Sequence, residues 1–328
     1  MKTIRLVVLA AVFSGLSVIA IAQSPREGFI KTPDGVRLYY RIVGSGAETL
    51  VVVHGGPGNS LESVFNDLTP LSEGRTVIYY DQRGNGRSDL IKDADKLGYK
   101  KHIADLEAVR QYFKLDKMTL FGNSWGGLLA GLYAAAHPDR VERMILADPA
   151  EPSQELLFKA VDELNSRLDS RYDSVGRQRY RFVSNYKNWI DAKEPKTICR
   201  EFYTLLFPTY VSDQKRAAAM KGDVCAGPDD AVRYQQYVNR EVWRSLGSYD
   251  IRPSLGVVKA PVLVIHGAAD PIPVESSEAW VRAMPNARIL LITGAGHLAH
   301  VEQPEIYFQA VETFLKGEFP KDATRPKF

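Results

Sequence analysis

Short apolar runs alternate with longer segments of helical periodicity over the first half of this chain. The runs at 50–53, 77–80 and 118–121 are rich in β-branched and aromatic residues, which predicts three buried strands. Residues 103–113, between two of these strands, have the apolar spacing of a helix. Strands that alternate with helices indicate a mostly parallel sheet with right-handed crossovers and helices on both faces. A further run at 144–146 extends this α/β pattern.

Strand signals also lie at the two ends of the pattern. Residues 28–46 predict a hairpin whose turn is Thr32-Pro33-Asp34-Gly35. Strand and helix alternate again at 261–265, at 288–292 and in a closing helix at 304–316. These segments are expected to complete the sheet that the first half begins.

The stretch from 151 to 246 has a different character, because it is helical, charged and aromatic-rich and contains no convincing strand. Neither flanking part would complete a sheet by itself. We therefore predict one discontinuous α/β core at 28–150 and 247–318, with residues 151–246 inserted as a helical cap.

The first 22 residues predict a secretory signal peptide. Lys2 and Arg5 precede an apolar run from 6 to 22, which ends in the small-residue motif Ala20-Ile21-Ala22. An uncleaved anchor is the alternative, although Ser14, Gly15 and Ser17 interrupt the run. The expected location is secreted or periplasmic, with no membrane contact once the leader is removed.

Charge and composition exclude several function classes. The chain has 328 residues, and loss of Lys2 and Arg5 with the leader would leave 40 basic residues against 39 acidic ones. Such a balance gives no reason to expect nucleic acid as a partner. Neither a metal-ligand cluster nor a nucleotide-binding loop is apparent in the sequence, so no cofactor and no metal are expected. The expected partner is a small-molecule or short-peptide substrate, and the oligomeric state stays open.

Cys199 and Cys225 are the two cysteines of the chain. In an oxidising compartment they are expected to pair as a disulfide. The alternative is two unrelated cysteines, since sequence spacing does not test the distance that a bridge requires.

Ser124 is the candidate nucleophile. It lies in Gly122-Asn123-Ser124-Trp125-Gly126, between the strand at 118–121 and a small-residue helix at 128–136. A strand, a sharp turn centred on serine and a helix form a nucleophile elbow, in which the flanking glycines allow the tight turn. A glycine-rich loop without function is the alternative interpretation of the five-residue motif alone.

A serine hydroxyl needs a general base, and a third group to orient that base. His297 follows the last predicted strand in a glycine-rich turn and is the preferred base. His300 is its rival, although a surface or capping role suits it better. His102, His137 and His266 are expected to be structural.

Asp270 is the preferred orienting acid because it follows the strand at 261–265 in Gly267-Ala268-Ala269-Asp270. Asp148 also ends a strand and is the competitor, since geometry alone defines the role. Against Asp148, the following Pro149 suggests a turn.

Two backbone N–H groups are expected to form an oxyanion hole. Gly56, in His54-Gly55-Gly56-Pro57-Gly58, follows the strand at 50–53, and Trp125 follows the nucleophile. The charged run at 81–88 is expected to be a turn held by an Asp/Arg network beside the site.

These motifs resemble the proline iminopeptidase family of α/β-hydrolases, with general similarity from about Gly28 to the last helix. The matching segments are 54–58, 81–88 and 122–127. The resemblance implies the α/β-hydrolase fold, with Ser124 as nucleophile, His297 as base and Asp270 as its partner. It also implies substrates that carry a free N-terminal proline or another small residue.

The chain departs from the family pattern at three places. Asn59 and Asn123 stand where the family commonly has glycine, and Gly267-Ala268-Ala269-Asp270 lacks the usual aromatic residue before the acid. A carboxylesterase or lactonase with the same triad is therefore the alternative enzyme. A non-catalytic binding protein on a hydrolase scaffold is the alternative outside enzymology. A dehalogenase or epoxide hydrolase is disfavoured, because these enzymes need an acid at position 124.

An aminopeptidase must also bind the ammonium group of its substrate, for which a carboxylate is the natural partner. The cap supplies the acidic candidates Glu201, Asp229, Asp230 and Glu241, and Trp243 is a candidate apolar wall beside the last of them. Each carboxylate has a solvated helix face as its alternative interpretation.

Overall fold

The computed structural model describes residues 26–326. The predicted signal peptide at 1–22 lies outside this range. Eight strands form one sheet, and the strands that the sequence predicts are all present. Their bounds are β1 Arg26–Lys31, β2 Arg37–Val43, β3 Thr49–Val53, β4 Thr76–Tyr80, β5 Met118–Asn123, β6 Val141–Ala147, β7 Val262–Gly267 and β8 Ala287–Ile292.

The strand order across the sheet is β1-β2-β4-β3-β5-β6-β7-β8. The first hairpin pairs antiparallel and joins β4 antiparallel, whereas every later pair is parallel. The predicted α/β fold with a mostly parallel sheet is therefore confirmed. All the parallel strands end at one edge, so the loops that follow β3, β5, β6, β7 and β8 converge there.

Helices cover both faces of the sheet. Side chains alternate between the faces of a strand, and in β3 Val51 and Val53 join one apolar core while Leu50 and Val52 join the other. The first core includes helices α1 Tyr99–Tyr112, α2 Trp125–Ala136 and α9 Val274–Ala283. The second includes α10 Ala299–Glu302 and α11 Pro304–Leu315. Burial on both faces explains why these strands are continuous apolar runs.

Six helices lie between β6 and β7, in the segment for which the sequence predicts a cap. They are α3 Gln154–Arg171, α4 Ser174–Ser184, α5 Tyr186–Ile190, α6 Pro195–Tyr210, α7 Gln214–Ala217 and α8 Asp229–Leu246. This helical segment, called the cap below, has its own apolar core around Trp189 and Phe202. Within residues 26–326, no helix is both long and apolar enough to cross a membrane.

Candidate active site

Ser124 occupies a strained turn between β5 and α2. Its backbone has φ 53° and ψ −121°, in a region that side-chain-bearing residues rarely adopt. Its N–H donates to the Ala147 carbonyl at 2.9 Å, and its own carbonyl accepts the N–H of Ala150 at 3.0 Å. A Cβ added to Gly126 would lie 2.0 Å from the Val53 carbonyl oxygen, so this neighbour has to be glycine. These contacts hold the serine at the carboxyl edge of the sheet.

His297 and Asp270 are hydrogen-bonded to each other. Their loops follow β8 and β7, and His297 Nδ1 lies 2.7 Å from Asp270 Oδ2. The other carboxylate oxygen accepts the N–H of Ile272 at 2.9 Å, which fixes the orientation of the acid. Burial disfavours the imidazolium, but the negative charge of Asp270 and its hydrogen bond outweigh this and raise the pKa of His297 to about 9.

Ser124 and His297 line one cavity of about 380 Å³, beneath the cap. Its floor comes from the loops at the carboxyl edge of the sheet, and its roof comes from cap helices. The roof is mainly apolar, with contributions from Leu157, Val161, Leu164, Phe202, Leu206, Phe207 and Trp243. A cavity with a mainly apolar roof and polar groups from the sheet edge is typical of a binding site for a small organic molecule.

Gly56 and Trp125 supply the two backbone N–H groups that are candidates for the oxyanion hole. Gly56, which lines the cavity, has φ 122°, and Trp125 is the first residue of α2. Neither N–H has a backbone acceptor within residues 26–326. Both groups are therefore available to an oxygen atom that develops negative charge beside Ser124.

The structure does not bring four predicted cap carboxylates to the cavity. None of the four lines the cavity. Each forms an ion pair with a basic residue of the cap instead. Glu201 pairs with Arg179, Asp229 with Lys196 at 3.3 Å, Asp230 with Arg233 at 3.6 Å, and Glu241 with Arg240 and with Arg244 at 2.7 Å. Of the predicted cap set, Trp243 lines the cavity and packs edge-on against Trp125.

Glu151 lines the cavity, and the sequence analysis missed it. It is 3% exposed, and it is the one acidic residue among the described residues that line this cavity. Burial, with a further contribution from the charge of Asp270, raises the pKa of Glu151 to about 7. Its position in the sequence could have indicated it. Glu151 lies four residues after the end of β6, at the edge of the sheet where the loops of the catalytic candidates converge.

Asp148, the competing acid, supports the Asp270 loop and does not contact His297. Its Oδ1 accepts the N–H of Gly267 at 2.8 Å, and its other oxygen is buried without a hydrogen-bond partner. Burial and the nearby charge of Asp270 raise the pKa of Asp148 well above its usual value. Asp148 therefore lies behind the site as a buried support of the strand end that leads to Asp270.

Four other histidines, His300, His266, His102 and His137, were weighed against His297 in the sequence. The predicted surface role of His300 is wrong, because its ring is buried, lines the cavity and packs near Tyr307. Burial lowers the pKa of His300 to about 4, so it stays neutral at pH 7. The structural placements are as expected: His266 bonds Ser277, His102 packs on Trp125, and His137 ends α2.

Asp81 and its neighbours form the expected hydrogen-bonded turn. Asp81 accepts the N–H groups of Leu61 and Arg87, both at 2.7 Å, and Arg83 forms a buried ion pair with Asp105. None of the residues 81–88 lines the cavity.

Cys199 and Cys225 form a disulfide within the apolar core of the cap, with their Cα atoms 5.9 Å apart.

One cluster among the described residues has the residue types of a metal site: Asp148, His266 and Asp270 lie with ligand atoms within 4.8 Å of one another. Each residue already makes a protein hydrogen bond, to Gly267, Ser277 and His297 respectively. These hydrogen bonds explain why the three buried side chains lie close together beneath the cavity.

Comparisons with known proteins agree with the fold. A family profile described as alpha/beta hydrolase fold matches residues 48–304. A proline iminopeptidase of Lactobacillus helveticus (strain DPC 4571) is 29% identical over 290 residues, which are 86% of this chain and 95% of that protein.

Two solved structures have the same fold. A proline iminopeptidase of Mycobacterium smegmatis has a TM-score of 0.65 at 22% identity, and the match covers 89% of this chain and 98% of that one. An esterase, EaEST from Exiguobacterium antarcticum, has a TM-score of 0.66 at 22% identity and covers 89% and 100% of the two chains. At these identities the structural likeness concerns the fold.

Proposed function

We propose that this chain, which belongs to the α/β-hydrolase family and resembles proline iminopeptidases, is a serine hydrolase that cleaves an amide or ester through an acyl-enzyme on Ser124. One observation carries the proposal: His297 is hydrogen-bonded to Asp270 at 2.7 Å and lines the same cavity as Ser124. A base that is oriented by an acid and shares a cavity with a serine has the residue types that activate a hydroxyl nucleophile.

The reaction would run in two stages. Ser124 Oγ attacks the substrate carbonyl carbon while His297 accepts the hydroxyl proton, and the oxyanion binds the N–H groups of Gly56 and Trp125. The imidazolium then protonates the leaving amine or alcohol, and the acyl-enzyme forms. A water molecule, deprotonated by His297, attacks the acyl carbon, and the serine leaves with its proton restored.

We further propose that the enzyme is an aminopeptidase that releases an N-terminal proline or small residue, with Glu151 as the group that binds the ammonium of the substrate. The support is that Glu151 is a buried carboxylate in the cavity, and that no lysine or arginine is among the described residues that line the cavity with it. A substrate ammonium would therefore meet this carboxylate without a competing cation in the cavity wall. Proline iminopeptidases of Lactobacillus helveticus and Heyndrickxia coagulans match 86% and 89% of the chain, respectively.

An esterase acting on uncharged acyl groups is the second candidate. It is favoured by the mainly apolar cavity roof and by the pKa of about 7 at Glu151, which leaves this side chain partly neutral at pH 7. An uncharged acyl group would need no ionised carboxylate in the cavity.

A single assay separates these candidates: hydrolysis of prolyl amide, alanyl amide and acetyl ester chromogens, compared side by side. We expect turnover with the prolyl amide to exceed that with the ester. Ser124→Ala should abolish turnover of all three substrates and also abolish labelling by a fluorophosphonate. Full turnover by this variant would overturn the serine mechanism, whereas labelling of the native protein without turnover would indicate a different substrate.

Glu151→Gln tests amine recognition separately from chemistry. The variant keeps the shape of the side chain but removes its charge, so we expect KM for the aminoacyl amides to rise about ten-fold or more while the acetyl ester is unaffected. The ester serves as the internal control. Equal changes with both substrate classes would contradict a role in ammonium binding.

We also propose that the protein is exported to the periplasm or secreted, on the basis of the leader-like sequence at 1–22. N-terminal sequencing of the protein isolated from its host tests this proposal. A mature chain that still begins at Met1 would contradict it.

A further inference from the structure

The loop that carries Gly56 is attached to the cap by side-chain hydrogen bonds. This loop consists of residues 54–59 and is called the oxyanion loop below. It follows β3 and leads into a short 3-10 helix at Leu61–Ser63. Asn239 of α8 donates its amide N–H to the Pro57 carbonyl at 2.9 Å. Pro57 directly follows Gly56. The Gly56 N–H faces the cavity in the proposed mechanism.

Asn59, at the end of the oxyanion loop, accepts two hydrogen bonds from the cap. The hydroxyl of Tyr203 on α6 and the amide of Gln235 on α8 each lie 2.7 Å from Asn59 Oδ1. Gln235 Nε2 also donates to the Tyr203 hydroxyl oxygen at 2.9 Å. The three side chains thus form a closed network in which every member bonds the other two. Gln235 is 3% exposed, so loss of its partners would leave buried polar groups unsatisfied.

The backbone of the loop also fits closely against α8. A Cβ added to Gly58 would lie 2.4 Å from the Gln235 carbonyl oxygen, and Gly58 has φ 103°. Gln235 and Asn239 are one helical turn apart and therefore share one face of α8. A single helix face contacts the loop at Pro57, Gly58 and Asn59.

We propose that Asn59, Gln235 and Asn239 are positioning residues that hold the oxyanion loop against the cap, so that the Gly56 N–H points at the developing oxyanion. The inference rests on the proposed serine mechanism. Oxyanion stabilisation depends on donors that are fixed before the reaction, and a shift of about 1 Å in a catalytic group can cost about 100-fold in rate. The Asn59 side chain supplies the acceptor that glycine, the residue expected here from the family resemblance, cannot supply.

The test compares Asn59→Ala, Asn239→Ala and the double variant with the native enzyme. Each single variant should lower kcat about ten-fold or more and change KM less than about two-fold, because the ground state does not use the oxyanion donors. The affinity for a boronic acid, which mimics the tetrahedral oxyanion, should fall in parallel with kcat. The affinity for the free amino acid product should not change.

Two further variants keep the test interpretable. Asn188→Ala removes an amide that donates to the Phe182 carbonyl at 2.7 Å entirely within the cap, and it should leave kcat unchanged. Tyr203→Phe removes one hydroxyl from the network and preserves the volume of the side chain, so it serves if the alanine variants fold poorly. It should lower kcat and boronate affinity together by a smaller factor.

The outcomes distinguish this inference from the proposed function. If Ser124→Ala is inactive and the native Ser124 reacts with a fluorophosphonate, the serine mechanism holds. A native kcat in folded Asn59→Ala and Asn239→Ala would then overturn the positioning role alone. Equal losses of boronate and product affinity would also overturn it, since such losses would report general damage to the cavity.

Discussion

His297, Asp148 and Glu151 are buried near the proposed reaction centre, and the pKa of each is raised for a different balance of causes. At His297, the charge of Asp270 and its hydrogen bond outweigh the effect of burial and raise the pKa of the imidazole. At Asp148 the hydrogen bond from the Gly267 N–H does not offset burial, and burial raises the pKa of both the Asp148 and the Glu151 carboxyl. Burial therefore favours protonation of Asp148 and Glu151, whereas Asp270 favours protonation of His297.

This arrangement predicts the pH dependence of kcat/KM. His297 must be neutral to accept the serine proton, and its raised pKa of about 9 means that protonation persists above the usual imidazole value of about 6.5. We expect kcat/KM to rise with pH through a midpoint above 7. In Asp270→Asn the attraction to the imidazolium is lost, so the residual activity should titrate at a lower pH. Initial rates with the acetyl ester between pH 5 and pH 10 provide the measurement. A native midpoint at or below 6.5 would contradict the prediction.

Sequence reasoning located the residues that follow strands and missed those whose position depends on the cap. Ser124, Asp270 and His297 each follow a strand in glycine-rich sequence, and parallel strands deliver their following loops to one edge. Glu151 follows β6 by four residues but lies outside any glycine-rich motif, and His300 lies in a short helix. They became cavity residues only because cap helices cover them, and the packing of distant helices is not encoded in local periodicity.

The cap helices hold the loops of the site from above. Arg167 on α3 donates to the carbonyl oxygens of Ala269 at 2.7 Å and Asp270 at 3.1 Å, and also to Thr209 on α6. On the other side, the Tyr210 carbonyl at the end of α6 accepts the His297 N–H at 2.7 Å. Helices α3 and α6 therefore contact the backbone of both the loop that carries Asp270 and the loop that carries His297, so the cap supports the geometry of this pair.

Arg167→Ala should weaken the support of the acid. Removal of one guanidinium leaves three backbone carbonyls without this donor, at a cost of about 1–3 kcal/mol in the free energy of unfolding. We expect kcat to fall about ten-fold as the Asp270 loop gains freedom. Thermal unfolding and steady-state kinetics measure the two effects. Arg171→Ala, at the exposed end of the same helix, is the matched control and should change neither quantity. A native kcat in folded Arg167→Ala would contradict the proposed link.

At the level of the whole chain, the two apolar cores and the cap differ in how far the sequence determines them. The strands of the sheet are recognisable because burial on both faces makes them continuous apolar runs. The cap helices are polar on one face and apolar on the other, so the sequence predicts their presence but leaves several ways to pack them. The Asn59 network and the disulfide are among the contacts that select one packing, and both link segments distant in sequence.

The disulfide should contribute much of the stability of the cap. It joins Cys199 and Cys225, which are 26 residues apart, and closing a loop of this length restricts the unfolded chain by about 3 kcal/mol. Both residues are buried in the small apolar core of the cap, which offers little other burial to replace the link. We expect the double variant Cys199→Ala/Cys225→Ala to lose about 2–4 kcal/mol in the free energy of unfolding, measured by urea titration. Dithiothreitol should lower the urea midpoint of the native protein towards that of the variant and leave the variant unchanged. A double variant that unfolds at the native midpoint would show that apolar packing alone holds the cap together.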